Sequence, residues 1–158
     1  MNEITEYKII IDNALVDKYC QLYFKQHPRA KKRPIDRPIH PSLNQWMILP
    51  RIQMNTLKQK WKDFGKFVIK KHGLENKMLE NFEIEFLVFM PTRRRIDPDN
   101  TCPKFLLDAF TESGFIVDDD SKHLKKLILS ADYDKDNPRT EIIVVINDNK
   151  KKRRKDIL

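Results

Sequence analysis

The period of the apolar positions changes several times along this chain, and each change marks an element. Tyr7-Lys-Ile-Ile-Ile-Asp12 is a β-branched run with polar ends, the pattern of a buried strand. From Asn55 to His72 the spacing becomes helical: Leu57, Trp61, Phe64, Val68 and Ile69 recur on one stripe with lysines between them. Such a stripe packs into a core, and Gly73 supplies a stop. Phe82–Met90 alternates apolar with Glu and then becomes continuously apolar, as a central strand does. Pro103 opens a second helix through Phe105, Leu106, Ala109 and Phe110, because proline suits the first helical position, and Gly114 ends it. Phe115-Ile-Val117 leads into an acidic triplet.

Leu124–Ala131 and Glu141–Ile146 predict two further strands, joined by a polar turn over 132–139. That turn starts like a calcium loop, Asp132-x-Asp134-x-Asp136. Its sixth position is Asn137 rather than Gly and its twelfth is Ile143 rather than Glu, so a hairpin turn is expected instead. Pro28, Pro34, Pro38 and Pro41 alternate with Lys and Arg over 27–41. This stretch reads as irregular backbone, either a mobile loop that meets a ligand or a surface insertion. The fold class expected is α/β (α+β): one small domain over 1–148, with a mixed sheet of about four strands packed against two helices.

Charge adds a class of partner. The chain of 158 residues carries 31 Lys and Arg against 23 Asp and Glu, a formal +8 with pI near 9.5, which favours nucleic acid or an anionic surface. The run Lys150–Lys155 holds six of those positive charges, and without it the remainder is close to +2. Residues 149–158 are therefore read as a basic, disordered end, which in some proteins serves as an arm on phosphates. Two cysteines, Cys20 and Cys102, cannot make a four-cysteine zinc site and suit a reducing compartment. No signal-like or membrane-spanning run is present, so a soluble cytoplasmic protein with no membrane partner is expected.

The chemistry concentrates in Arg93-Arg-Arg-Ile-Asp97-Pro-Asp99-Asn100 and, about twenty residues later, Asp118-Asp119-Asp120. Carboxylates brought together repel unless a cation neutralises them, and the natural occupant is a hard divalent metal. In extended backbone Asp97 and Asp99 point the same way, and Pro98 biases Asp97 towards that conformation. Asn100 would orient a ligand carboxylate through a hydrogen bond. On spacing alone, a solvated Asp-Pro-Asp-Asn turn and a polar strand edge account for the same residues. His123 beside the triplet reads as structural rather than as a base.

These residues resemble a known family. Pro41-Ser-Leu-Asn44, the Arg-Arg-Arg-Ile-Asp97-Pro-Asp99-Asn100 segment, Lys104, Leu107-Asp108-Ala109, Gly114-Phe-Ile-Val and Asp118-Asp119 are similar in kind and order to the RusA-type Holliday-junction resolvases. The similarity runs over about residues 41 to 146 and is most specific from Arg93 to Asp120. It implies a homodimeric, Mg²⁺- or Mn²⁺-dependent endodeoxyribonuclease that binds four-way DNA junctions and makes paired symmetric nicks in recombination and repair. It also implies the cytoplasm of a bacterial or phage-infected cell, at the nucleoid. The family's essential carboxylates match Asp97, Asp99 and the second residue of the later pair, Asp119, with Asp120 as the alternative ligand one residue on. The family usually runs Asp-x-Asp-Asn-x-x-Lys, whereas Thr101-Cys102-Pro103 here puts a third residue between Asn100 and Lys104.

On that reading Asp97, Asp99 and Asp119, with Asp120 in reserve, hold one or two metal ions. Lys104 offsets charge developing on the phosphorus, and Arg93, Arg94 and Arg95 grip flanking phosphates without reading bases. The exposed part of the 106–115 segment is a candidate dimer contact. Two other readings compete: a related nuclease for other branched DNA, and a non-catalytic nucleic-acid-binding protein whose acidic cluster only organises a turn.

Overall fold

A computed structural model describes residues 5–146. The expected domain limit at 148 and the basic tail 149–158 lie outside the described residues. Four strands form one sheet: β1 (Thr5–Ile11), β2 (Phe82–Met90), β3 (Leu124–Tyr133) and β4 (Arg139–Ile146), in the order β1-β4-β2-β3. β4 runs antiparallel to both β1 and β2, while β2 and β3 are parallel. The sheet is mixed, as expected, and the helices are more numerous than the two expected. They are α1 (Asn13–Gln26), α2 (Leu43–Met47), α3 (Arg51–Lys71) and α4 (Lys104–Glu112).

The period of two along the strands decides which face is dry. Phe82, Ile84, Phe86 and Val88 on β2 are buried, as are Ile142 and Val144 on β4 and Ile9 and Ile11 on β1. They meet Val16 and Cys20 of α1, Trp61, Phe64, Val68 and Ile69 of α3, and Phe105, Leu106 and Phe110 of α4 in one core. Each fully buried Phe or Leu in this cluster contributes about 1.5–3 kcal/mol of burial free energy. α3 and α4 cross closely because Gly65 faces Ala109; a Cβ added at Gly65 would lie 2.6 Å from the Cβ of Ala109. Leu106, Leu107, Ala109, Phe110 and Phe115 are all buried in the core, while Glu112 is exposed and Asp108, Thr111 and Ser113 are partly so.

A parallel pair needs a crossover, and here 91–123 supplies it, with α4 in the middle. Gly114 ends that helical segment at φ +73, a conformation that favours glycine. The 132–139 turn is not a hairpin. β3 and β4 are separated by β2, so the turn bridges over the end of β2, and Asp134 N–H donates to the Met90 carbonyl at 2.9 Å. Asp134 shapes the turn by accepting from the Asp136 and Asn137 amides and from Arg139 Nη1.

The proline-rich stretch is neither a mobile loop nor a surface insertion along its whole length. Residues 27–33 are largely exposed, but Pro34, Ile35, Pro38, Ile39, His40 and Pro41 are buried. This strap crosses the core and is tied at both sides: Cys20 Sγ donates to the Ile35 carbonyl at 3.5 Å and Thr140 Oγ1 to the Pro38 carbonyl at 2.8 Å. His40 sits edge-on to Trp61 and Phe86.

Candidate functional site

The chain leaves the central strand β2 at Met90 and reaches the first two carboxylates through an exposed arginine segment. Asp97 is extended (φ −88°, ψ 119°), but Pro98–Asn100 closes into one 3-10 turn, with Asn100 N–H donating to the Asp97 carbonyl at 2.9 Å. The expectation of extended backbone through Asp99 is therefore corrected: proline at the first turn position and the Thr101 hydroxyl, which donates to the Pro98 carbonyl at 2.8 Å, favour the turn. Asp97 precedes the turn and Asp99 lies within it, so the two do not share one strand face.

Asn100 is placed by a distant segment. Its Oδ1 accepts the Asn44 N–H at 3.0 Å, and Ser42 forms an isolated antiparallel bridge with Thr101. Ser42 also starts α2 through a reciprocal capping box with Gln45. The amide oxygen expected to orient a ligand carboxylate is thus committed to the main chain of the Ser-Leu-Asn segment. Lys104 is the first residue of α4 and is exposed, with Thr101–Pro103 forming the connection before it. A lysine at a helix start opposes the dipole by about 0.3–1 kcal/mol, so local stability does not account for it.

The second carboxylate group follows α4. Asp119 N–H donates to Asp118 Oδ1 at 2.8 Å. Burial, then a carboxyl–carboxyl contact with Asp118 and the nearby charge of Asp108, raise the Asp119 pKa above the usual carboxylate value. Asp120 behaves differently. Its Oδ1 accepts from His123 Nδ1 at 2.6 Å and from the His123 N–H at 3.2 Å, and this histidine lowers its pKa. Asp120 is occupied as a cap at the start of β3, whereas Asp119 meets no basic side chain among the described residues.

The three arginines diverge. Arg93 lies 4.7 Å over the Tyr133 ring, and with Arg94 it lines a cleft of about 500 Å³ together with Thr92, Ile96, Ala131, Asp132 and Tyr133. Arg95 instead pairs loosely with Asp97, Nε to Oδ1 at 3.5 Å, with both side chains well exposed. An exposed pair of this kind contributes about 0–1 kcal/mol and yields readily to a competing cation.

The 3-10 turn packs against β3, the strand that Asp118–Asp120 precedes. Even so, no group of three or more His, Cys, Asp or Glu among the described residues is arranged to hold a metal ion. Asp97 and Asp99 flank the exposed 3-10 turn, and Asp119 lies within the influence of Asp118 and Asp108. The donor chemistry of these carboxylates is hard oxygen, and a divalent cation would favour the charged form of Asp119 against the burial and carboxylate neighbours that raise it. Sequence reasoning gave Asn44 and Asp108 no role in the site; the only signal for either was its place in the Ser-Leu-Asn and Leu-Asp-Ala motifs. Among the described residues no helix is long and apolar enough to cross a membrane. No protein-family model matches this chain, and no curated protein matches it.

Proposed function

We propose that this protein is a Mg²⁺-dependent endodeoxyribonuclease of the RusA type, which acts as a homodimer on four-way DNA junctions and nicks two opposed strands. The observation that carries the reading is Asp119, partly buried beside Asp118 and with no basic partner among the described residues, in a chain with 31 Lys and Arg. A carboxylate left uncompensated among the described residues of so cationic a chain is open to a cation from outside. The exposed turn carrying Asp97 and Asp99 follows the central strand, a common location for chemistry on a sheet.

Asp97, Asp99 and Asp119 would hold the ion, with Asp120 kept for His123. Mn²⁺ would substitute for Mg²⁺ on oxygen donors. A divalent ion supplies Lewis-acid polarisation of the phosphodiester and activation of water. The chain's own part is positional. Arg93 and Arg94 bind backbone phosphates in the cleft by Tyr133, Asn100 holds the carboxylate turn against the Ser42–Asn44 segment, and Lys104 offsets negative charge on the reacting phosphate. A two-fold dimer matches a substrate with two equivalent strands.

A second reading, a nucleic-acid-binding protein without catalysis, draws on the lack of a group of three cation-holding side chains among the described residues. Four-way, flap and linear DNAs incubated with Mg²⁺ or with chelator separate the readings. Metal-dependent cutting confined to the four-way DNA supports the resolvase, cutting of flaps supports a broader nuclease, and binding with no cutting in any condition supports the second reading.

A further inference from the structure

His40 sits at the end of the buried strap, two residues before the segment that meets the carboxylate turn. It is 3% exposed, and neither ring nitrogen has a hydrogen-bond partner among the described residues. Its neighbours are rings met edge-on, Trp61 of α3 at 6.5 Å and Phe86 of β2 at 6.0 Å. The charged side chain that acts on it is Arg37, on the strap itself; α3 and β2 meet it with those rings rather than with a carboxylate. Such a pocket tolerates the neutral imidazole and opposes the imidazolium, which would be a buried charge with no counter-charge.

The strap is held less firmly than the sheet beneath it. Two side-chain hydrogen bonds, from Cys20 to Ile35 and from Thr140 to Pro38, anchor it, and among the described residues no main-chain hydrogen bond joins 34–41 to a strand. A cleft of about 330 Å³ runs along it, lined in part by Arg37, Ile39, Pro41, Leu57 and Trp61. Segments held in this way open locally at lower cost than core strands. Directly after the strap, Ser42 bridges Thr101 and the Asn44 N–H donates to Asn100 Oδ1 at 3.0 Å. At about 3.3–3.6 Å per residue, the chain from His40 to Ser42 reaches at most roughly 7 Å, so the strap cannot leave its groove without pulling on the turn.

We propose that His40 is a pH-operated latch: protonation of its ring releases the 34–41 strap and, through Ser42 and Asn44, loosens the turn that carries Asp97 and Asp99. The inference concerns control of the site proposed above and takes its importance from that reading, but its test needs neither DNA nor metal. The closed form refuses a proton that the open form accepts. Closure is therefore complete above about pH 6.5 and is lost as the pH falls towards about 4. Between pH 8 and pH 5 that difference makes opening about thirtyfold easier.

Amide hydrogen exchange at pH 8 and pH 5, corrected for the intrinsic pH dependence of exchange, reads the latch at two positions. The Asn44 N–H reports on the bond to Asn100, and the Asn100 N–H, which donates to the Asp97 carbonyl, reports on the turn. Both should lose protection about thirtyfold at pH 5, with little dependence on urea, while amides of β2 and β4 keep the steep urea dependence of global unfolding. His40→Phe should keep its pH 8 protection at pH 5, since every other titrating group is left in place. Arg37→Gln, which removes the charge beside the ring, should shrink the loss. Equal protection at both pH values in the wild type overturns the proposal, as does a loss that persists in His40→Phe. A loss at Asn44 with the urea dependence of the sheet amides overturns it too, because the whole domain would then be opening. A protein that shows the latch and cuts no DNA in Mg²⁺ counts against the nuclease reading alone; one that cuts four-way DNA and shows no pH-dependent exchange counts against the latch alone.

Discussion

The main-chain N–H of Asn44 donates to Oδ1 of Asn100 at 3.0 Å, joining residues 56 positions apart. This bond connects the buried strap over 34–41 to the turn that carries Asp97 and Asp99. The strap itself is anchored on β4 and in the aromatic pocket of Trp61 and Phe86. Core packing therefore reaches an exposed carboxylate turn through this side-chain amide and the Ser42–Thr101 bridge beside it.

Asn100→Ala removes that acceptor at an exposed position, so the cost in stability should be about 0.5–1.5 kcal/mol. Metal-dependent cleavage should fall more than the stability change explains, while DNA binding in chelator is retained. Cleavage rates beside melting temperatures check this; a parallel small loss in both would reduce Asn100 to a stabilising contact.

His40 predicts how stability depends on pH. It is buried with neither ring nitrogen partnered, and burial, then the charge of Arg37, push its pKa from 6.5 down to about 4. Between those values the unfolded chain binds a proton that the folded protein refuses, so stability falls as pH drops from about 6.5 towards 4. This group alone should make the protein about 2 kcal/mol less stable at pH 5 than at pH 8. Urea denaturation at both pH values should show the difference and should show it abolished in His40→Phe, which keeps an aromatic ring against Trp61 and Phe86.

Gly65→Ala should destabilise by about 1–3 kcal/mol, because the new methyl would sit 2.6 Å from the Ala109 Cβ between two packed helices. Ala109→Gly in the same chain should restore part of the loss. Denaturant midpoints of the single and double variants measure the coupling, and strictly additive losses would mean that the helices are not in contact there.

Much of this architecture was legible from periodicity. The β2 stripe, the aromatic face of α3 and the Pro103-to-Gly114 helix are read directly from apolar spacing, since each buries one regular face. α1 was not, although Leu15, Val16, Tyr19, Cys20 and Phe24 recur at helical spacing and face the core, because only Val16 and Cys20 are fully buried. What marks its start is Asp12, whose carboxylate accepts the Leu15 N–H, a cap that the strand pattern had absorbed as a terminus. The 132–139 turn was placed correctly but misjoined. Local sequence specifies the Asp134 turn, whereas insertion of β2 between β3 and β4 is a long-range outcome.

The site was legible as motifs and less so as geometry. Spacing marked Asp97, Asp99 and the acidic triplet, but Asp119 and Asp120 were distinguishable only once His123 was seen to occupy Asp120. Asp119→Asn should therefore abolish cleavage, while Asp120→Asn should retain most of it and lower the stability modestly. Equal loss in both would place Asp120 at the reacting centre.

The most direct measurement is cleavage of a mobile four-way junction in Mg²⁺ by the wild type and by Asp99→Asn, with a matched linear duplex beside it. The account predicts paired symmetric nicks at the junction from the wild type, none on the duplex, and intact junction binding without nicks from the variant. Nicking that persists in Asp99→Asn, or a wild type that binds the junction and never cuts it, would contradict it.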